Sequence, residues 1–213
     1  MQRRVTSHIT RQGYNGVMPT APKTQSFQIE EILSAEYEYI AETAAQANED
    51  RARVSSFYLV SVGSLVAALF SARFFGPDSD SGELSLLFSG LFLVLTLLGT
   101  TTIVQLARLR AAWFESALAM NQIKEYAISK DRGLEKAFLW RKPSLPSRFK
   151  INSVSFMQTV EVALLSGLMF GAAVYFLQAE LTNSQPVWIW ITAIGAGLLV
   201  SLFQALLYKR LLR

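Results

Sequence analysis

One carboxylate, Glu161, stands inside a long apolar stretch of this sequence, where an acidic side chain is expensive to place. The stretch 151–179 is otherwise uncharged, and Gln158 lies one helical turn before Glu161. A carboxylate at such a position is by default a candidate proton or cation site. The favoured alternative is structural: Glu161 lies near the cytoplasmic boundary and extends its side chain to water, or pairs with Arg108 or Lys150.

A second set of polar side chains occurs near the end of another apolar stretch, at Thr100, Thr101, Thr102 and Gln105. Hydroxyl and amide groups of this kind can line a pore. Thr more often bonds to the backbone of its own helix, which is the favoured interpretation here. The sequence has no Cys, no Ser/His/Asp set, no phosphate-binding Gly loop and no His/Glu spacing typical of a metal site. We therefore expect no catalytic residue, no metal and no cofactor, and predict that the protein is not an enzyme.

Four stretches of the chain are long and apolar enough to cross a bilayer as helices, and these must position the polar residues. They are residues 54–75 (broken only by Arg73), 84–107, about 156–179 and 187–208. Each reaches the ~20 apolar residues that a spanning helix needs. The predicted fold class is an all-α membrane protein with four transmembrane helices in two hairpins. Residues 1–26 are polar, rich in Gly and Pro, and predict a disordered tail.

The positive charges predict the orientation of these spans. Of the 20 Lys and Arg residues, all but Arg73 lie before the first span, between the second and third, or after the fourth. Lys and Arg are retained on the cytoplasmic side, so both termini and the middle connection should be cytoplasmic. This topology accounts for the net charge of +4. We therefore expect the lipid bilayer, rather than nucleic acid, as the partner of this basic chain.

The first hairpin is longer than a membrane requires. Helical spacing of apolar residues continues without Pro or Gly from residue 28 into the first span, and from the second span to residue 130. Two helices over 28–75 and 84–130 would each be about 70 Å long, against a hydrocarbon core of ~30 Å. The hairpin 27–130 should therefore project far into the cytoplasm. A connector at 131–150 and a compact second hairpin at 151–213 complete the chain.

The two projecting segments differ in charge. Residues 27–50 contain seven acids and no Lys or Arg, whereas residues 108–150 contain ten cations and four acids. An acidic helix beside a basic one predicts pairing, either within one chain or between neighbouring subunits of a ring. The alternative is two separately solvated faces.

Two further patterns concern packing and position in the membrane. Small residues at four-residue spacing allow spanning helices to approach closely. They occur at Gly63, Ala67 and Ser71 in the first span, at Gly167 and Gly171 in the third, and at Ala193, Gly197 and Ser201 in the fourth. Aromatic and basic residues anchor well at the membrane surface. The candidates are Trp140, Arg141 and Lys142 on the inner side and Trp188 and Trp190 on the outer side.

Several short motifs resemble one family of bacterial membrane proteins. They are the run Tyr37-Glu38-Tyr39-Ile40-Ala41-Glu42, then Arg51, the run Ser55-Ser56-Phe57-Tyr58-Leu59, then Trp113, and Asn121 with Lys124. In these residues the chain is similar to the RipA family of octameric membrane proteins, over roughly residues 35–70 and 110–150. The resemblance implies a homo-oligomer, an octamer, in the bacterial inner membrane, with no assigned catalytic activity.

Three classes of function follow from these patterns. The first is a non-enzymatic, self-associating scaffold whose cytoplasmic helices organise or recruit a protein partner. The alternative is an oligomeric channel or pore-forming membrane effector, in which Glu161, Thr100 to Thr102 and Gln105 face a lumen. A proton-coupled transporter is the weakest of the three, because the spans lack Pro-broken helices and paired charges.

Overall fold

A computed structural model describes residues 24–75, 81–182 and 186–213, and this part of the chain is helical. The long helices are α1 (Thr24–Phe75), α2 (Ser81–Lys130), α3 (Val154–Thr182) and α4 (Val187–Leu211). All four are long and apolar enough to cross a membrane. The predicted fold class, four transmembrane helices in two hairpins, is therefore confirmed. Of the expected disordered tail, residues 1–23 lie outside the described residues.

The helices of the first hairpin run unbroken through and beyond their apolar spans. α1 has 52 residues and α2 has 50. At 1.5 Å per residue each is roughly 75 Å long, more than twice the thickness of a hydrocarbon core. We call residues 28–53 of α1 and 108–130 of α2 the arms, and the face of the bundle from which they extend the arm side. The extended first hairpin agrees with the prediction from sequence.

The arms pack against each other through small and apolar side chains. On α1 the buried positions recur at helical spacing, and on α2 they include a short polar residue among apolar ones. They are Ile40, Ala44 and Ala47 on α1, and Ala117, Asn121 and Ile128 on α2. Alanine at the contact lets the two backbones lie close together. The arms are therefore held by apolar packing along one narrow face of each helix.

Within the bundle, α2 is the central helix. It packs against α1 and α3 and also touches α4. Accordingly, 44% of the most apolar 18-residue segment of α2 is buried inside the bundle, against 17% of the corresponding segment of α1. At the end opposite the arms, the ring of Phe176 packs edge-on against Phe88 and stacks with Phe92, with centroids 5.5 and 5.8 Å away. The second hairpin is thus joined to the first mainly through α2.

Between α2 and α3 the chain folds into two short 3-10 turns, Arg132–Lys136 and Lys142–Ser144. α3 then begins at Val154, slightly before the predicted start of the span near residue 156. The reason is a cap: the hydroxyl of Ser153 accepts a hydrogen bond of 3.2 Å from the backbone N–H of Phe156. A Ser at this position satisfies one of the free N–H groups of the first helical turn.

Proline substitution tests whether the arms are continuous packed helix. We expect Ala45→Pro and Ala117→Pro each to cost ~3 kcal/mol, because proline removes a backbone hydrogen bond and clashes with the preceding turn. Ala45 is exposed, so Ala45→Leu is a matched control that should leave the helix intact. Circular dichroism and thermal unfolding of the purified protein measure the effect. Equal stability of Ala45→Pro and Ala45→Leu would contradict a helical arm at this position.

Candidate functional site

A network of uncharged polar side chains joins three helices inside the bundle. Gln204 of α4 is fully buried, and its Nε2 donates to the hydroxyls of Thr100 and Ser166, both at 2.8 Å. Ser166 of α3 in turn donates to the backbone carbonyl of Thr96 on α2, at 3.2 Å. Each bond gives a partner to a donor that is buried among the helices. The network therefore fixes α2, α3 and α4 relative to one another.

The first helix reaches the same place through Tyr58, whose side chain is fully buried. A methyl group added to Gly99 of α2 would lie 2.8 Å from the Tyr58 hydroxyl and 2.6 Å from the Ser166 hydroxyl. The absence of a side chain at Gly99 thus allows α1 and α3 to meet over α2. All four helices contribute to this one layer.

A second polar contact closes the arm-side end of the second hairpin. The hydroxyls of Ser155 and Tyr208 share a hydrogen bond of 2.8 Å, and both residues are buried. The Tyr208 ring packs beside Phe149 and Phe156. Sequence analysis missed both polar contacts. Their signal was the helical spacing of Ser155, Thr159 and Ser166 on α3 and of Gln204 and Tyr208 on α4.

The small residues of α3 and α4 form the contact between these two helices. A methyl group on Gly197 would lie 2.5 Å from the carbonyl oxygen of Gly167, and one on Gly171 would lie 2.8 Å from that of Ala193. Ser201 donates to the carbonyl of Ala163 across the same contact, at 3.0 Å. Beside it lies an apolar groove of about 460 Å³. The ladder of the first span differs, because Gly63 has open space around it and Ala67 and Ser71 are exposed.

Glu161 lies on the outer surface of the bundle. Its side chain is exposed, and among the described residues it forms an ion pair with neither Arg108 nor Lys150. Hydrogen bonds from Ser89 to Ala173 and from Ser166 to Thr96 set the antiparallel register of α2 and α3. In that register Glu161 is level with Thr101. Glu161 is seven residues from the start of α3, or ~10 Å along its axis.

The other candidate pore residues do not gather at one point. Thr100 donates to the carbonyl of Thr96 and faces the interior, where it accepts a bond from Gln204. Thr101 is exposed and donates to the carbonyl of Leu98, as expected for a Thr bonded to its own helix. The remaining three take separate positions: Thr102 is buried, Gln105 is exposed, and Gln158 is half-buried with its Oε1 unpartnered.

The connector is attached to the arm of α2. Arg141 forms a two-pronged ion pair with Glu125, at 3.0 and 3.1 Å, and a further one with Glu135 at 2.7 Å. These bonds hold the pKa of the Glu125 carboxyl below its usual value. Lys124 donates to the carbonyl of Trp140, at 3.3 Å. Trp140 and Arg141 thus lie beside the part of α2 around Glu125, some 18 residues past Ala107, or ~27 Å along the helix. The anchoring of Trp140, Arg141 and Lys142 at the membrane surface stays a prediction.

The two Trp residues at the opposite end of the bundle start α4. Trp188 and Trp190 are both about half exposed, and the Trp190 ring lies 4.5 Å from that of Tyr175, centroid to centroid.

In the described ranges no group of three His, Cys, Asp or Glu side chains could hold a metal ion. Comparisons with protein-family models, curated proteins and solved structures find no match to this chain.

The contact between α3 and α4 predicts which glycines tolerate a side chain. Gly197→Ala should destabilise the protein by ~1–3 kcal/mol, because the added methyl group meets backbone atoms that cannot move aside. Gly195, two residues away on the same helix, has open space around it. Gly195→Ala should therefore be neutral or slightly stabilising. Thermal unfolding in detergent compares the two variants, and equal midpoints would mean that the helices do not approach as described.

Proposed function

We propose that this protein is a non-enzymatic, self-associating scaffold of the bacterial inner membrane, with its arms and both termini in the cytoplasm. One observation carries the proposal: the arms have opposite charges, and in the described part of the chain no ion pair joins one arm to the other. The uneven distribution of Lys and Arg supports the orientation.

The acidic charges are concentrated on the arm of α1. Its six glutamates are all exposed, and in the described part of the chain none of them forms an ion pair; they are Glu30, Glu31, Glu36, Glu38, Glu42 and Glu49. The one acid of this arm that is paired, Asp50, bonds to Arg53 of the same helix. The arm of α1 therefore presents a free acidic surface.

The basic charges lie on the arm of α2 and the connector. Here ion pairs form only within the segment itself, between Arg141 and Glu125 or Glu135 and between Arg148 and Glu115. Several exposed cations have no acid partner among the described residues: Arg108, Lys130, Arg132, Lys136, Lys142 and Lys150. This surface complements the acidic one, yet the two do not pair inside one chain.

Association of copies brings such surfaces together. In a closed ring the acidic arm of one copy faces the basic arm of the next, and each pair adds specificity more than stability. The resemblance to the RipA family supports a ring of eight. A cluster of projecting arms also offers a repeated surface for a cytoplasmic protein partner, which is the role we propose for the assembly.

Charge reversal on the acidic arm tests self-association. The double variant Glu38→Lys and Glu42→Lys should shift the protein from its oligomeric mass towards the monomer, because like charges then face each other between copies. Glu180→Lys, at the opposite end of the bundle, is the matched control. Light scattering at low salt measures the mass. Compensating changes Lys130→Glu and Arg132→Glu should restore the oligomer, and an unchanged mass in the double variant would count against the proposal.

An oligomeric channel is the second candidate, and one observation favours it. Glu161 and Thr101 are exposed at the same depth in the spans, and Gln105 is exposed one turn from Thr101. Polar groups on the outer face of a spanning bundle are costly in lipid and are accommodated when they face a lumen between copies. We place this second because an interface between copies would equally remove Glu161 from lipid.

Substitution of Glu161 separates the two candidates. Glu161→Gln removes the charge and keeps the shape. In a scaffold whose interface holds Glu161, the change should reduce the detergent stability of the oligomer by ~1–3 kcal/mol, with no ion flux in either protein. Flux is measured in proteoliposomes with a pH-sensitive or cation-sensitive dye. Wild-type conductance that Glu161→Gln alters, with the oligomer intact, would favour the channel. Gln105→Glu is the control, because it adds a negative charge at a nearby depth whereas Glu161→Gln removes one.

A further inference from the structure

Two arginines lie inside the protein where the arms meet the spans. Arg110 of α2 is only 7% exposed, and Arg51 of α1 is half-buried, with its Nε enclosed and without a hydrogen-bond partner. An arginine stays charged at any physiological pH. A buried charge is normally paired with an opposite one. In the described part of the chain neither arginine has an acidic partner.

The surroundings of Arg110 position its guanidinium without neutralising it. Its Nε donates to the backbone carbonyl of Arg148 at 3.2 Å, and one Nη donates to that of Ser147 at 3.5 Å. The guanidinium lies 4.4 Å from the centroid of the Trp113 ring. These contacts use two of the five N–H donors that a guanidinium carries. In the described part of the chain no other group accepts a hydrogen bond from Arg110, so its remaining donors can bind a ligand.

The two guanidinium groups belong to one site. Burial lowers the pKa of Arg110. Tyr208 raises that pKa, and the positive charge of Arg51 lowers it. The pKa of Arg51 is also lowered by burial and raised by Tyr208. The geometry agrees: the Lys124 Nζ of α2 lies 5.9 Å from the centroid of the Tyr37 ring of α1, and in that antiparallel register Arg51 lies opposite Arg110. The Tyr208 ring packs beside Phe149, the residue after Arg148, whose carbonyl accepts from Arg110. The acids nearest along the chain are occupied, because Asp50 bonds to Arg53 and Glu115 bonds to Arg148.

The depth of the site matches the lipid headgroups. Arg51 precedes the first residue of its span, Val54, by three positions, and Arg110 follows the last residue of its span, Ala107, by three. Three residues of helix correspond to ~4.5 Å. The headgroup layer on each side of the hydrocarbon core is roughly 5–7 Å thick. Both guanidinium groups thus lie at the level of the phosphates of one leaflet.

We propose that Arg51 and Arg110 together bind a phosphate-bearing anion between α1 and α2. A phosphate matches the paired N–H donors of guanidinium better than a point charge does. It has enough oxygens to accept from both arginines, and from the Tyr208 hydroxyl when Ser155 donates in their shared bond. The two sources of this chemistry are the headgroup of an anionic phospholipid and free phosphate.

Ligand titration of the full-length protein in neutral detergent tests the site. The probes are phosphatidylglycerol, phosphatidylcholine and inorganic phosphate, followed by the thermal midpoint and by lipid adducts in native mass spectrometry. We expect Arg51→Gln and Arg110→Gln each to weaken binding of the preferred probe at least roughly tenfold, the loss of a charge-assisted hydrogen bond. Arg53→Gln, an exposed arginine two residues from Arg51 on the same helix, should bind as the wild type does.

The outcome also identifies the source of the phosphate. Preference for phosphatidylglycerol assigns the site to an anionic lipid, and a midpoint that rises with inorganic phosphate alone assigns it to a soluble anion.

Should the glutamine variants fail to fold, Arg51→Lys and Arg110→Lys keep the charge, and the loss of paired donors should weaken binding several-fold. The proposal is overturned if no probe binds the wild type, or if the variants dissociate the oligomer without changing the affinity for any probe. The latter would mean that a carboxylate of another copy fills the site.

Discussion

The absence of water in a hydrocarbon core governs this bundle, because each polar group carried into it needs a partner from the protein itself. The Nε2 of Gln204 has partners on two other helices, Thr100 and Ser166, whereas its Oε1 has none among the described residues. Amide and hydroxyl bonds of this kind contribute ~0.6–2 kcal/mol each in membrane proteins. Their main effect is to exclude other arrangements, since a slip of one helix would leave several buried polar groups unpaired.

The polar network depends on glycines at the points where helices meet, because a larger side chain there would keep the helices apart. Gly99 leaves room for Tyr58 and Ser166, and Gly167 and Gly197 bring the backbones of α3 and α4 together. Packing in a bilayer gains little from the hydrophobic effect, so close backbone contact and hydrogen bonds must stabilise the bundle. The small residues and the polar residues therefore act together, and neither set explains the packing alone.

Sequence patterns predicted the elements well and their partners poorly. The four spans and the long first hairpin followed from hydropathy and from the absence of Pro and Gly, because these depend on the local chain alone. The partner of a small-residue ladder depends on tertiary packing: Gly171 contacts α4, whereas a methyl group on Gly63 of a similar ladder would meet no atom of the described residues within 4 Å. The same holds for Arg141, whose pairing with Glu125 could not be read from its place beside Trp140.

Unsatisfied groups are distributed unevenly, and this bears on where the protein acts. The buried hydroxyls of Thr96, Ser155 and Ser166 all have partners within the chain. Among the described residues the buried side-chain atoms without a partner are few; they are the Nε of Arg51, the hydroxyl of Tyr58, the Oδ1 of Asn121 and the Oε1 atoms of Gln158 and Gln204. Arg51 is the one charged residue in this set, and a buried charge without a partner opposes folding. A ligand or another copy that pairs with it would remove this cost. The interior thus determines the shape of one subunit, while the charged surfaces carry the association with ligands and other copies that we propose.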